Sequence, residues 1–174
     1  MFKRAKLLRK LRSLSDSIAL IIDVDGVLTD GTFWYSAKGK EYKRFAPHDA
    51  EALSALKQHF PIKIISADER GRKISERRVN DLGFDLQIVS SSARRLLVSS
   101  MQAKGRNVLF IGDSISDIPA MSEATFAVCP SNACIGVSIH VDYVLRTQGG
   151  RGVMEEIKQL LEEALGEDYF LENF

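Results

Sequence analysis

IALIIDVDGVLTDG, residues 18–31, is the stretch from which the fold can be predicted. Its first seven residues are aliphatic except for Asp23, and a short apolar run of this kind is typical of a buried strand. An ionised carboxylate inside such a run is costly unless a metal ion or a function compensates for it. We therefore interpret Asp23 as a functional residue, followed two positions later by Asp25 just beyond the end of the strand.

Similar apolar runs recur along the chain and are separated by segments with helical spacing. Further strands are predicted at residues 62–65, 86–89, 108–111, 126–128 and 141–145. Alternating strands and helices imply parallel strands joined by right-handed crossovers. The predicted fold class is therefore α/β, with a Rossmann-like parallel sheet flanked by helices.

One segment interrupts this alternation directly after the first strand. Residues 31–45 place the aromatic, β-prone arms TFWY and EYKRF on either side of a turn at Gly39. Two such arms around a glycine turn predict an inserted β-hairpin. Because 174 residues leave no room for a second domain, we expect this hairpin flap instead of a separate cap domain.

Length and composition indicate one globular domain over residues 1–174, with 45% hydrophobic and 27% charged residues. Its formal net charge of +1 argues against a nucleic-acid partner. No apolar run is long enough for a membrane span and no signal-peptide segment is evident, so the cytoplasm is the expected location. Residues 1–14 predict a basic amphipathic helix, and residues 166–174 form a C-terminal tail.

Polar residues follow the predicted strands at the edge where an open α/β sheet binds ligands. Asp23 and Asp25 follow the first strand, Ser66 ends the second, and Asp113 and Asp117 follow the fourth. Carboxylates packed closely repel one another unless a cation lies between them, and a set of oxygen ligands favours Mg²⁺ over zinc or copper. The sequence thus predicts a magnesium site.

Two motifs at these strand ends resemble those of a known superfamily. Residues 23–31, DVDGVLTDG, are similar to the first motif of the haloacid dehalogenase (HAD) superfamily, and residues 112–117, GDSISD, are similar to its fourth motif. The hairpin, residues 45–50 and the GGRG sequence at 149–152 narrow the resemblance to the capless sugar-acid phosphatases typified by 3-deoxy-D-manno-octulosonate 8-phosphate (KDO 8-phosphate) phosphatase. The similarity spans residues 18–165.

The resemblance implies a role for each strand-end residue. Asp23 would be the nucleophile that forms an aspartyl-phosphate, and Asp25 the general acid and base. The carboxylates of Asp23 and Asp113 and the backbone carbonyl of Asp25 would hold Mg²⁺, with Asp117 supporting the metal ligands from behind. Ser66 would donate a hydrogen bond to the phosphate.

Three positions depart from the family pattern. The superfamily places a phosphate-binding lysine at the start of the helix after the third strand, where this chain has Arg94 and Arg95, and we favour Arg95. The second motif, commonly T-G-R, is here Ser66-Ala67-Asp68, with Arg70 or Arg72 as candidates to replace the missing arginine. His48 stands where the related phosphatases tend to carry an arginine. His48, Arg70 and Arg72 are therefore candidate substrate contacts.

The resemblance implies Mg²⁺-dependent hydrolysis of a phosphorylated sugar acid, KDO 8-phosphate or a related nonulosonate 9-phosphate, in surface-polysaccharide (lipopolysaccharide) biosynthesis. It also implies a homotetramer, which we expect to assemble through the hairpin, with the tail from Asp168 to Phe174 covering a neighbour's active site. The alternative is a catalytically weak or inactive relative that binds a partner in a sugar-nucleotide pathway. A phosphorylation-switch receiver domain would place its acceptor carboxylate after the third strand. The chain has Ser90-Ser91-Ser92 there, which argues against this interpretation.

Overall fold

The computed structural model of the protein describes residues 2–14, 17–166 and 169–170, with the side chains of residues 2 and 3 excepted. The strands in these ranges are β1 (Ile18–Asp23), β2 (Thr29–Ser36), β3 (Gly39–Phe45), β4 (Ile62–Ser66), β5 (Leu86–Ile88), β6 (Asn107–Ile111), β7 (Phe126–Cys129) and β8 (Tyr143–Val144). The helices are α1 (Phe2–Arg12), α2 (Asp49–His59), α3 (Arg72–Asp81), α4 (Ser91–Gln102), α5 (Ile118–Glu123) and α6 (Val153–Leu165).

The main sheet has the strand order β5-β4-β1-β6-β7-β8, and every pairing in it is parallel. The predicted Rossmann-like sheet is thereby confirmed, with strand ends within two residues of the predicted ones. The chain leaves β1 towards β4 on one side and later returns to β6 on the other. Such a reversal opens a crevice at the carboxyl end of the central strand, and this is where open α/β sheets bind ligands.

Side chains of β1 point alternately to two cores, one on each face of the sheet. Leu20 and Ile22 pack with helices α1, α2, α3 and α6, whereas Ala19 and Ile21 pack with α4 and α5. All six residues of β1 are buried, as the apolar run predicted for a central parallel strand. The domain is thus a three-layer α/β/α sandwich in which Asp23 ends a fully buried strand.

The β2–β3 hairpin forms its own two-stranded antiparallel sheet immediately after β1. The predicted insertion is confirmed, although β2 begins at Thr29, two residues before the predicted start. Trp34 pairs with Tyr42 across the hairpin, and these two side chains are among its exposed aromatic residues. The hairpin lies beside the carboxyl end of β1, because only the short loop of residues 24–28 separates the two.

Both ends of the described chain pack against the domain. In α1, Leu7 and Leu11 are buried, and Arg4 forms an ion pair with Glu163 of α6. At the other end, Phe170 is buried against the rings of His59, the last residue of α2, and Phe60. Of the tail that was expected to cover a neighbour's active site, residues 167–168 and 171–174 lie outside the described residues. Tyr169 and Phe170 instead contact their own domain.

No helix in the described part of the chain is both long and apolar enough to cross a membrane.

Candidate active site at the carboxyl ends of strands β1, β4 and β6

A cleft of about 360 Å³ opens at the carboxyl ends of the central strands. Its lining combines the first motif, the second motif, the hairpin, helix α4 and the fourth motif: Asp23, Asp25, Gly31, Phe33, Lys40, Ala67, Asp68, Arg94, Asp113, Ser114 and Ser116. The cleft therefore brings together side chains that are up to about ninety positions apart in sequence. It occupies the position that strand order predicts for a ligand site.

Asp23 is almost completely buried, with 3% of its surface exposed. Burial raises the pKa of Asp23 well above its usual value, the nearby Asp117, Asp25 and Asp113 add to that rise, and Arg94 opposes it. Arg94 Nη2 donates to Asp23 Oδ1 at 3.0 Å. The charge that the sequence placed inside an apolar strand is thus compensated by a buried guanidinium.

The loop after β6 is organised around Asp117. Asp117 Oδ2 accepts hydrogen bonds from the backbone N–H groups of Asp113 and Ser114 and from the Ser114 hydroxyl, at 2.9–3.2 Å. Its Oδ1 accepts a hydrogen bond from Arg94 Nη1. Since both oxygens are engaged in this way, Asp117 fixes the loop that carries Asp113 and also orients Arg94.

Three carboxylates are close enough together to share one cation. An oxygen from each of Asp23, Asp113 and Asp117 lies within 4.8 Å of the other two. Burial raises the pKa of Asp113 to about 7, and the charges of Asp117 and Asp25 contribute to the rise. A buried set of mutually repelling oxygen ligands fits a hard divalent ion such as Mg²⁺. The predicted contribution of Asp25 is its backbone carbonyl, so its side chain remains available for other chemistry.

The Asp25 carboxylate is held at both of its oxygens. Lys43 Nζ lies 2.7 Å from Oδ1, and the Ser66 hydroxyl donates to Oδ2 at 2.8 Å. Ser66 Oγ also accepts a hydrogen bond from the backbone N–H of Asp68 at 3.0 Å. Ser66, at the end of β4, is thus positioned between the first and second motifs, where a phosphate bound near Asp23 would compete for its hydroxyl.

Lys43 is a site residue that sequence reasoning missed. Its side chain is fully buried, and Nζ contacts Asp25, Asp68 and the hydroxyl of Ser75. Alternation in β3 puts Lys43 on the face opposite Tyr42 and Arg44, and the structure shows that the face of Lys43 is the buried one. A lysine at an inward position of a strand indicates a buried carboxylate partner.

Asp68 occupies the position at which the family pattern has an arginine, and it is paired with two lysines of the hairpin. Lys40 Nζ and Lys43 Nζ lie 2.5 and 2.8 Å from Asp68 Oδ2. Burial acts to raise the pKa of Asp68, but the hydrogen bonds from Lys40 and Lys43 outweigh it and lower the pKa to about 2. Lys40 also lies 3.9 Å from the centre of the Phe33 ring. The cations at this end of the cleft therefore come from the hairpin.

The preference for Arg95 as the phosphate-binding cation was wrong on geometry. Arg95 pairs with Glu123 on the outside of α4, with 63% of its side chain exposed, whereas the buried Arg94 contacts Asp23 and Asp117. Adjacent residues of a helix lie about 100° apart around its axis, so only one of the two can face the cleft. The structure assigns that position to Arg94.

The three predicted substrate contacts do not line this cleft within one chain. Arg70 is exposed, and Arg72 is exposed and pairs with Glu76 one turn along α3. His48 instead lines a second cavity of about 530 Å³, together with Arg146 and Arg151. Within the single chain these three residues therefore lie outside the cleft, and Lys40 and Lys43 of the hairpin supply the cations next to Asp25 and Asp68.

The loop that follows Asp23 is braced by the glycines at residues 149–150. Gly150 N donates to Val27 O at 2.9 Å, and a Cβ at Gly149 would lie only 1.9 Å from the carbonyl oxygen of Gly26. Gly26 itself has φ +84°, and a Cβ there would overlap the carboxylate of Asp113. Glycine at these positions permits the close backbone approach that sets Asp25 beside the acidic cluster.

The chain is similar in sequence to known proteins. The chain is 31% identical over 151 residues to 3-deoxy-D-manno-octulosonate 8-phosphate phosphatase KdsC of Haemophilus influenzae. The aligned residues cover 84% of this chain and 83% of that protein. No family model matches the chain.

Solved structures are similar over almost the whole chain. One is 3-deoxy-D-manno-octulosonate 8-phosphate phosphatase from Moraxella catarrhalis in complex with magnesium, phosphate and KDO, with a TM-score of 0.78 at 29% identity over 94% of this chain and 97% of that chain. Another is described as a HAD superfamily (subfamily III A) hydrolase from Legionella pneumophila, with a TM-score of 0.82 at 25% identity over 99% and 98% of the two chains.

Proposed function

Because the chain belongs to the 3-deoxy-D-manno-octulosonate 8-phosphate phosphatase family of the HAD superfamily, we propose that it hydrolyses the phosphate ester of a phosphorylated sugar acid. The substrate is KDO 8-phosphate or a related nonulosonate 9-phosphate. The observation that carries this proposal is the convergence of Asp23, Asp25, Arg94 and Asp113 on one cleft at the carboxyl end of β1. A nucleophile, an acid and base, a cation and a metal ligand are the groups that phosphoryl transfer needs.

In the first step a carboxylate oxygen of Asp23 attacks phosphorus, and the bond between phosphorus and the sugar oxygen breaks. Asp25, protonated at the start, gives its proton to the departing sugar oxygen, so the sugar leaves as an alcohol. The phosphoryl group is then bound to Asp23 as an aspartyl-phosphate. Ser66 and Arg94, which contact Asp25 and Asp23, would donate hydrogen bonds to its oxygens.

In the second step Asp25, now ionised, removes a proton from a water molecule as that water attacks phosphorus. The bond to Asp23 breaks, inorganic phosphate is released, and both carboxyl groups return to their starting states. One residue thus serves as acid and then as base. The Asp25 carboxylate contacts Ser66 at the end of β4 and Lys43 of the hairpin, so it is held between these two elements in both steps.

Asp23, Asp113 and the backbone carbonyl of Asp25 would hold Mg²⁺, and Asp117 would orient Asp113 through its bonds to the loop. When bound, the ion offsets the repulsion between an anionic phosphate and an anionic nucleophile. Arg94 contributes a second positive charge to the same region. Without these cations the buried carboxylates would favour their protonated and unreactive forms.

The rest of the substrate would lie towards the hairpin. Phe33, Lys40 and Asp68 line that end of the cleft and offer a ring face, an ammonium group and a carboxylate to a polyhydroxylated acid. We also propose that the protein acts as a homo-oligomer in the cytoplasm, in surface-polysaccharide biosynthesis. The oligomer and the pathway derive from the family resemblance.

The experiment that tests the function is a phosphate-release screen over phosphorylated sugar acids, with and without Mg²⁺, and with Asp23→Asn as the blank. Release of phosphate from a sugar-acid phosphate that requires both Mg²⁺ and Asp23 is the expected result. Binding of such a compound without turnover under any metal condition would favour the alternative of an inactive relative that acts as a binding partner.

A further inference from the structure

We propose that Lys43 is a positioning residue for the acid–base carboxylate, holding Asp25 so that one defined oxygen exchanges protons with the substrate and water. The inference rests on the proposed function, because it assigns Asp25 the acid–base role. It adds to the reaction a residue of the hairpin, an element outside the sequence motifs from which the other site residues were identified.

The three contacts of Lys43 account for all the donors of its ammonium group. Nζ lies 2.7 Å from Asp25 Oδ1, 2.8 Å from Asp68 Oδ2 and 2.8 Å from Ser75 Oγ. The side chain is fully buried, and a Cβ at Gly71 would lie only 2.7 Å from Lys43 Cε. A lysine enclosed in this way has little freedom to rotate, so its contact with Asp25 is fixed in direction.

Neutralising Asp68 does not by itself require Lys43. Asp68 already has Lys40 as a partner at 2.5 Å and accepts a backbone hydrogen bond from Gly71 at 3.0 Å. By contrast, the only lysine or arginine side chain that pairs with Asp25 among the described residues is Lys43. Burying an ammonium group is costly unless it is paired with a carboxylate. Asp25 is the partner for which Lys43 supplies the only ion pair among the described residues.

The two oxygens of Asp25 are thereby made unequal. An ammonium group donates but cannot accept, so Oδ1 faces a fixed donor in Lys43. The Ser66 hydroxyl at Oδ2 can both donate and accept, and it is free to rotate towards a bound phosphate. The contact with Lys43 therefore fixes the direction of the Asp25 carboxylate and leaves Oδ2 as the oxygen next to Ser66, the residue expected to bind the phosphate.

Loss of the contact between Lys43 and Asp25 should slow formation of the aspartyl-phosphate, its hydrolysis, or both, depending on the leaving group of the ester. A sugar alcohol is a poor leaving group and needs the proton of Asp25, whereas p-nitrophenolate leaves without protonation. Hydrolysis of the aspartyl-phosphate needs Asp25 as the base whichever ester was used. Misplacing Asp25 would therefore slow both steps with a sugar phosphate, but with p-nitrophenyl phosphate only the second step.

The test compares Lys43→Met with the unaltered protein in Mg²⁺ buffer, using KDO 8-phosphate and p-nitrophenyl phosphate. For KDO 8-phosphate we expect kcat to fall by about 10²-fold with KM changed little. For p-nitrophenyl phosphate we expect a rapid burst of p-nitrophenolate, close to one per active site, followed by slow steady-state release. Lys43→Arg, which keeps a cation and its donors, is expected to recover part of the steady-state rate.

Arg44→Met is the matched control, because Arg44 is the next residue of the same strand and its side chain pairs with Asp30 outside the cleft, not with Asp25. Whatever its effect on KM, it should leave the relative rates of burst and steady state as in the unaltered protein. A Lys43→Met protein whose burst slows in proportion to its steady state, or one that behaves like the unaltered protein, would overturn the proposal.

If Lys43→Met fails to fold, the same measurements on Lys43→Arg decide the question, since the longer side chain still displaces Asp25. An equal loss in both phases would then contradict the role of Lys43. Absence of hydrolysis of either ester by the unaltered protein contradicts the proposed function itself, and the role of Lys43 fails with it. An active parent protein leaves the function standing whichever way the Lys43 variants behave.

Discussion

Asp23 is a carboxylate at the end of a strand whose six residues are all buried, and it is stabilised there by one guanidinium. The same environment that makes its charge costly also makes it reactive. A nucleophile removed from water has no hydration shell to lose when it approaches phosphorus. The site therefore uses a residue whose ionised form depends on neighbouring cations.

Asp23→Asn is expected to lower turnover by at least about 10⁴-fold, because the amide cannot form the aspartyl-phosphate. Folding should be retained, with the free energy of unfolding changed by no more than ~1 kcal/mol. The reason is that burial already favours the neutral form of Asp23, and the amide is neutral. Phosphate release and thermal unfolding of the same preparation measure both effects. Full activity in the purified variant would contradict the mechanism.

Arg94 contacts both Asp23 and Asp117, and its replacement should affect binding and rate together. We expect Arg94→Met to lower kcat/KM by roughly 10- to 150-fold, the equivalent of a charge-assisted hydrogen bond worth about 1.5–3 kcal/mol. Arg94→Lys should retain more activity, since it keeps the charge between the two carboxylates. Steady-state kinetics on one sugar phosphate provide the comparison.

Arg95→Ala is the control for this series, because Arg95 is one position along the same helix, is itself exposed, and pairs only with Glu123 among the described residues. Its kinetics should match those of the unaltered protein. A loss of kcat/KM in Arg95→Ala equal to that in Arg94→Met would show that the charge of the helix, and not the contact of one guanidinium, is what matters.

At the level of elements, the strands were predictable because each is a short apolar run that a parallel sheet buries on both faces. The strand-end carboxylates followed from them, since Asp23 and Asp113 end neighbouring strands. The choice between Arg94 and Arg95 was not predictable in the same way. It follows from the rotation of α4 against the sheet, which buries Arg94 on the same helix face as Val98 and Met101 and leaves Arg95 outside.

Lys43 escaped prediction for a related reason. Its neighbours Tyr42 and Arg44 point to the outer face, but the face of a two-stranded hairpin that becomes buried is decided by where the hairpin docks. That docking depends on contacts with the loop after β4, including Asp68, which is distant in sequence. Local periodicity therefore identified the hairpin without revealing its inward charge.

Helices α2 and α6 begin side by side, and Asp49 joins their first turns. Asp49 Oδ1 accepts a hydrogen bond from Met154 N at 2.8 Å, and the carboxylate is buried. Burial raises the pKa of Asp49 to about 6, opposed by that hydrogen bond and by the charges of His48 and Arg78, while Glu155 adds to the rise. This pair of helix starts is thus sensitive to pH.

The native state holds the proton of Asp49 up to about pH 6, whereas the unfolded chain releases it near the ordinary value of 3.8. Between those values the native state binds more protons, so the contribution of Asp49 to stability falls as pH rises through the window. We expect Asp49→Asn to remove this fall and to raise the free energy of unfolding at pH 7 by ~2–3 kcal/mol.

Urea unfolding of both proteins at pH 4, 6 and 7 measures the effect, since the difference between them should grow with pH. Asp81→Asn serves as the control, because Asp81 forms only a surface pair with Arg77 among the described contacts. A difference between Asp49→Asn and the parent that stays constant from pH 4 to pH 7 would rule out the titration of Asp49 as its cause.

For the molecule as a whole, the hairpin presents apolar surface beside the cleft. Trp34 is 67% exposed and Tyr42 65% exposed, and they are cross-strand partners on one face of a two-stranded sheet. A contiguous aromatic face next to unpaired strand edges is typical of an interaction surface. The part of the chain that the structure describes contains no separate cap domain, and we propose that another subunit covers the cleft.

We therefore predict a homo-oligomer, in which the hairpins supply the contact. Light scattering at micromolar concentration should give a single species of about four times the chain mass of 19.4 kDa, as the family resemblance implies. Trp34→Glu with Tyr42→Glu should shift that species towards the monomer, because two buried carboxylates without partners oppose association. Leu96→Glu, an equally exposed position on α4, should leave the mass unchanged. A species at 19.4 kDa before any substitution would refute the assembly, and a doubly substituted protein that keeps its full mass would show that the subunits meet through another element.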